Sequence, residues 1–88
     1  MQMTEPRTLH RGHAALLGIF RKQDECNAVV RNGVVQFDGH SQDFLQGWYE
    51  ELKSWELIQC EDWVGRSGNK LGEKVSLTEE GKATLAKL

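Results

Sequence analysis

Residues 56–88 read ELIQCEDWVGRSGNKLGEKVSLTEEGKATLAKL, and this stretch passes from an extended pattern to a helical one. β-Branched and aromatic residues on both sides of a glycine-rich turn at 65–72 are typical of two strands joined as a hairpin. Thr78 then precedes two glutamates, which is a common start of a capped helix. The stretch therefore predicts a hairpin over 57–77 and a final helix over 78–88.

The residues before position 41 predict a helix and a second hairpin. Apolar side chains recur at helical spacing from Leu9 to Phe20, which indicates an amphipathic first helix. Asn32-Gly33 stands between two pairs of valines and is typical of a tight turn, because both residues accept a positive φ. We expect a hairpin over about 28–37. The alternative is a short helix over 24–31 followed by one strand.

The middle of the chain predicts the clearest helix, over 41–55. Ser41 has the chemistry of an N-cap, and an acidic residue in the first turn suits the helix dipole. The apolar face of this helix would consist of Phe44, Leu45, Trp48, Leu52 and Trp55. The helix should end near residue 55, where the extended pattern begins.

Length and composition indicate one small globular domain over 1–88. The chain has 88 residues, of which 39% are hydrophobic and 27% charged, and these fractions are typical of a folded domain. No apolar run approaches the ~20 residues that a membrane helix needs, and no signal-peptide pattern opens the chain. Cys26 and Cys60 are far apart and lack metal-site spacing. We expect a cytoplasmic protein, or one of the host cytoplasm if a phage encodes it.

The second half of the chain resembles winged-helix regulators of the MarR and PadR type. The resemblance covers residues 41–88 and is carried by the step Leu52-Lys-Ser-Trp-Glu-Leu57 and by the closing Val75-Ser-Leu-Thr-Glu-Glu-Gly81. Glu56 stands where such regulators often have glycine. The resemblance implies an α+β winged-helix fold, in which 57–77 would be the wing and 41–55 the recognition helix.

The same resemblance implies binding to double-stranded DNA, with a homodimer whose terminal helices pair. Gln42, Gln46 and Lys53 would lie on the outward side of the recognition helix, where Gln can read adenine. The wing would contribute Arg66, Asn69, Lys70 and Lys74. Carboxylates beside the same helix oppose this function, because neutralising phosphate charge supplies much of DNA affinity.

Those carboxylates favour a protein-binding module as the first hypothesis. Asp43, Gln46, Glu50 and Glu51 would form an acidic outer face on the helix over 41–55 and meet a basic protein partner. Exposed aromatic residues are frequent at protein interfaces, and Tyr49 and Trp63 are the candidates here. Small inhibitors or adapters of the kind that phages and mobile elements encode fit this description. DNA-binding regulation is the alternative hypothesis.

No pattern in the chain predicts catalysis. His10 and His13 lie one helical turn apart, but no third ligand stands near them in sequence, so we expect no metal site. The segment Gly65–Lys70 lacks the spacing of a phosphate loop and leads into a strand. The sequence contains no recognisable catalytic dyad or triad. We therefore expect a non-enzymatic protein without a cofactor.

Overall fold

The computed structural model describes residues 9–88, and the predicted domain over 1–88 is accordingly seen from Leu9 onward. Three helices and five strands follow one another in the order α1 (Arg11–Gly18), a 3₁₀ turn (Ile19–Arg21), β1 (Glu25–Arg31), β2 (Val34–Phe37), β3 (Asp43–Leu45), α2 (Gln46–Ser54), β4 (Ile58–Val64), β5 (Lys70–Leu77) and α3 (Glu79–Ala86). The α+β class predicted from the sequence is confirmed.

All five strands form one antiparallel sheet with the order β3-β2-β1-β5-β4. β1 and β2 are joined by Asn32 and Gly33, whose φ angles of 53° and 81° lie in the left-handed region. The hairpin predicted over 28–37 is thus confirmed, and the alternative helix over 24–31 is wrong. Valines on both sides of this turn favour the extended backbone because their branched side chains fit a pleated surface.

The hairpin predicted over 57–77 is confirmed as β4 and β5, and the final helix predicted over 78–88 is confirmed as α3. Thr78 caps α3, because its hydroxyl accepts the backbone N–H of Gly81 at 3.0 Å. Gly81 is required by packing: a Cβ there would lie 1.9 Å from the carbonyl oxygen of Leu57. The motif Leu-Thr-Glu-Glu-Gly therefore combines a helix cap with a close backbone contact.

The predicted helix over 41–55 is wrong in its first third. Asp43–Leu45 forms β3, which pairs with β2 and places Phe44 opposite Val35 in the core. Asp43 and Leu45 are exposed, so burial alternates here with the period of a strand. Ser41 consequently caps nothing, and α2 begins at Gln46 without a side-chain cap. The backbone hydrogen bonds offered by the free edge of β2 outweigh the weak helical signal of this short segment.

The helices cover one face of the sheet, here called the inner face. Leu16 and Leu17 from α1, Leu52 from α2 and Leu85 from α3 are buried against it. The strands contribute the buried residues Cys26, Ala28, Val35, Phe37, Phe44, Ile58, Val75 and Leu77. The opposite face of the sheet carries no helix from the described part of the chain. The candidate functional site lies on this uncovered side.

Candidate protein-binding surface

The uncovered side of the sheet, here called the outer face, is formed by alternate residues of all five strands. The strand register places the following side chains on it: Glu25, Asn27, Val29, Arg31, Val34, Gln36, Asp43, Leu45, Gln59, Glu61, Trp63, Lys74 and Ser76. None of these side chains is buried. An antiparallel sheet can leave one face in water, and Trp63 is the largest side chain that this face leaves only partly covered.

The indole of Trp63 lies close to a position of the neighbouring strand β5 that has no side chain. Its register partner on β5 is Gly72, and a Cβ at that position would lie 3.1 Å from Cε3 of the indole. The same Cβ would lie 2.2 Å from the carbonyl oxygen of Ala28 on β1. Glycine therefore lets β5 pass beneath the ring. The ring remains half-exposed.

A shallow depression of about 320 Å³ lies beside the indole. Its sides are Trp63 on β4 and the loop after β2, which carries Asp38, Gly39 and His40. Its floor includes Val29, Asn27 and Gln36. Aromatic and aliphatic surface at the centre with amides and charges around it is the usual composition of a protein interface.

The charges of the outer face have both signs. Lys74 Nζ lies 3.8 Å from Glu25 Oε1, and Glu61 is its register neighbour on β4. The amide of Gln36 donates to Asp43 Oδ1 at 3.3 Å. Arg31 differs from these residues, because none of the described carboxylates lies within ion-pair distance of its guanidinium. Arg31 also lines the depression.

The predicted acidic helix face does not exist as one surface. Asp43 belongs to β3 and lies on the outer face, whereas Glu50 and Glu51 lie on α2, on the inner side of the sheet. Glu51 accepts a hydrogen bond of 2.7 Å from His13 Nε2, and Glu50 lies 3.8 Å from Lys53 Nζ. Gln46 is only half-exposed at the start of α2. The helical prediction for 41–45 placed these residues together, and β3 separates them.

Tyr49 is not a surface residue, so its prediction as an exposed anchor is wrong. The side chain is fully buried, and its hydroxyl donates to Glu73 and lies 3.2 Å from Cys60 Sγ. Burial, followed by these two hydrogen bonds, raises the pKa of Tyr49 far above its ordinary value. Burial likewise raises the pKa of the Cys60 thiol. The tyrosine therefore remains neutral and joins α2 to the β4–β5 hairpin.

The residues predicted to bind DNA are distributed over several surfaces. Gln46, Lys53 and Lys70 line one cleft of about 390 Å³ between α2 and the sheet, together with Glu50 and Glu73. Lys53 and Lys70 lie 3.6 and 3.9 Å from Glu73, so their charges are already compensated. The remaining candidates lie elsewhere: Lys74 on the outer face, Arg66 and Asn69 at the tip of the β4–β5 hairpin, and Gln42 in the loop before β3.

His10 and His13 form the N-terminal cap of α1. His10 Nδ1 accepts the backbone N–H of Gly12 at 3.2 Å, and His13 Nδ1 accepts the backbone N–H of His10 at 3.2 Å. A reciprocal arrangement of this kind normally uses serine and glutamate, so two histidines at this spacing are not a familiar capping signal. Among residues 9–88, no group of three or more His, Cys, Asp or Glu side chains is placed to hold a metal ion.

Sequence reasoning missed Arg31, Val29 and Gln36 as surface residues that line the same depression as Trp63. Their common signal is the period of two in β1 and β2, which becomes informative only once the order of the strands is known. No family model matches the chain, and neither a curated protein nor a solved structure is significantly similar to it. Within the described residues, no helix has the length and apolar character needed to cross a membrane.

Proposed function

We propose that this chain is a small, non-enzymatic protein-binding module that docks through the outer face of its sheet. The half-buried Trp63, which lies on the edge strand β4 of that face, is the observation that carries the proposal. Tryptophan and arginine are enriched among residues that dominate binding energy, and Arg31 lines the same depression without a described carboxylate partner. The mixed charges around them suit a protein surface better than a polyanion.

Photocrosslinking tests this function. A photoreactive residue at Gln36, which lines the same depression as the tryptophan but is separated from it by β1 and β5, should crosslink to one protein partner in the cells where the chain acts. The same residue at Leu88, an exposed position at the end of the chain, serves as the control and should not. Trp63→Ala should then weaken the purified complex by about 30-fold, the loss of a typical interface hot spot of about 2 kcal/mol. A complex that tolerates this substitution, or crosslinks to nucleic acid alone, would refute the proposal.

A DNA-binding winged-helix regulator is the second proposal. It is supported by the order of α2, the β4–β5 hairpin and α3, and by the exposed Arg66 at the hairpin tip. The five-stranded sheet and the hairpin at β1–β2 are additions that the resemblance did not imply. Titration of labelled duplex DNA at low and physiological salt tests it, because phosphate contacts give strongly salt-dependent binding. Undetectable binding at low salt would eliminate it.

A further inference from the structure

A groove on the opposite side of the β2–β3 loop is distinct from the outer face. It lies between α1 with its 3₁₀ turn and the loop that leads into β3, and has a volume of about 500 Å³. Its lining residues are Ala15, Gly18, Ile19, Arg21, Lys22, Gln23, His40, Ser41, Gln42 and Phe44. The lining thus combines small and apolar residues with cationic and hydrogen-bonding ones. No carboxylate is among them.

The two formal cations of the groove are free of ion pairs. Within residues 9–88, no carboxylate lies within 4.0 Å of the charged atoms of Arg21 or Lys22. Four of the five other lysines behave differently: Lys53, Lys70, Lys74 and Lys82 each lie within that distance of a described carboxylate. Two adjacent exposed cations without counter-charges create a local positive potential on a molecule whose formal net charge is −2.

His40 adds a hydrogen-bond donor to the same groove. The side-chain nitrogen of Gln23 donates to the carbonyl oxygen of Ile19 at 3.3 Å and lies 2.9 Å from His40 Nε2. An amide nitrogen can only donate, so His40 Nε2 accepts and the neutral ring carries its proton on Nδ1. Ser41 and Gln42 follow directly in the chain and also line the groove. The loop therefore supplies hydrogen-bonding side chains beside the cations.

We propose that this groove binds an acidic peptide segment of a protein partner. Arginine and lysine with neutral donors recognise carboxylates well, and the small and apolar lining accommodates the methylene groups of such side chains. A nucleic acid is disfavoured because carboxylates lie near the cations: Asp24 follows Lys22 by two positions, and Asp38 and Asp43 flank the loop. A short acidic segment avoids them, whereas a continuous phosphate backbone would not.

NMR titration with an acetylated hexaglutamate amide at low salt tests the groove directly. The backbone amides of Lys22, His40 and Ser41 should show the largest shift changes. Arg21→Glu with Lys22→Glu should weaken binding at least tenfold. Arg66→Glu with Lys87→Glu is the matched control, because it changes the net charge equally at exposed sites outside the groove and should change affinity by less than twofold.

Three results would overturn the proposal. Shift changes spread over the surface without a maximum at the groove would show that no site exists. An equal loss in both double variants would reduce the effect to net charge. Tighter binding of a six-nucleotide thymidine oligomer at the same residues would assign the groove to nucleic acid.

Arg21→Gln with Lys22→Gln, a milder change, should give an intermediate loss of peptide affinity. Trp63→Ala should leave peptide binding unchanged, so this proposal and the function proposed for the outer face can fail independently.

Discussion

His13 shows how a polar side chain can be specified inside this small core. The ring is 2% exposed, and each of its nitrogens has one partner. Nδ1 accepts from the backbone of His10 at 3.2 Å, so in the neutral ring Nε2 carries the proton and donates to Glu51 at 2.7 Å. The same carboxylate was predicted to contact a partner protein. In the structure it satisfies a buried donor.

Glu51→Ala should therefore destabilise the fold. The substitution leaves the buried Nε2–H of His13 without an acceptor, which costs about 1–3 kcal/mol. Glu50→Ala is the control, because Glu50 is exposed and its 3.8 Å contact with Lys53 is a surface ion pair worth at most about 1 kcal/mol. Urea unfolding of both variants measures the difference. Equal losses would show that the histidine does not depend on Glu51.

At the scale of elements, the junction between α2 and β4 contains local strain. Glu56 has a φ of 59°, a left-handed conformation that costs a non-glycine residue about 1–2 kcal/mol. Its backbone carbonyl nevertheless accepts the hydroxyl of Thr78 at 2.5 Å, so the conformation fixes the start of α3. Position 56 is where the sequence departs from the winged-helix pattern, which often has glycine.

Glu56→Gly should stabilise the protein. The free energy recovered by removing the left-handed strain exceeds the entropic cost of glycine in the unfolded chain, which is about 0.5–1 kcal/mol. The net gain in the free energy of unfolding should be about 0.5 kcal/mol. Glu56→Ala provides the control, since it removes the same exposed side chain and keeps a Cβ in the strained conformation. Thermal and urea unfolding compare the three proteins. Stabilisation by alanine as large as that by glycine would mean that the Glu56 side chain, and not the backbone, is unfavourable.

Element prediction from the sequence succeeded where a turn or cap has its own chemistry. Asn32-Gly33 specified one hairpin, the glycine-rich turn another, and Thr78 the last helix. It failed over 41–45, because the apolar residues there fit a helix and a strand equally well. Pairing with the free edge of β2 makes this segment a strand, and that pairing is not visible in the local pattern of residues 41–45.

The candidate surface shows the same limit at the scale of the whole molecule. Trp63 could be nominated from its residue type alone, whereas its exposure depends on the uncovered side of a five-stranded sheet. Tyr49 has a similar chemical character and is fully buried because it lies on the core side of α2. The strand order and the side on which the helices pack arise from long-range contacts, which a single sequence does not encode in any local pattern.

Three weak acids that the fold buries wholly or in part should make the whole molecule sensitive to alkaline pH. Burial is the largest cause that raises the pKa of Cys26, Cys60 and Tyr49. The native state then retains protons that the unfolded chain releases. The stabilising contribution of the three groups is complete below their pKa values in the unfolded chain. It decreases as the pH rises toward their pKa values in the folded protein. Because unfolded thiols titrate at about 8.5, the free energy of unfolding should fall above that pH.

Urea unfolding at pH 7.5, 8.5, 9.25 and 10 measures this dependence. The decrease in the free energy of unfolding that Cys26 causes should approach about 1.4 kcal/mol per pH unit, because this thiol is buried. The decrease that Cys60 causes should be smaller, because Cys60 is only half-buried and solvent screens its environment. A double variant, Cys26→Ala with Cys60→Ala, will start from a lower stability but should lose less of it between pH 8.5 and 10. If the slopes of the two proteins coincide, the alkaline sensitivity comes from other groups, and the thiols are not held protonated by the fold.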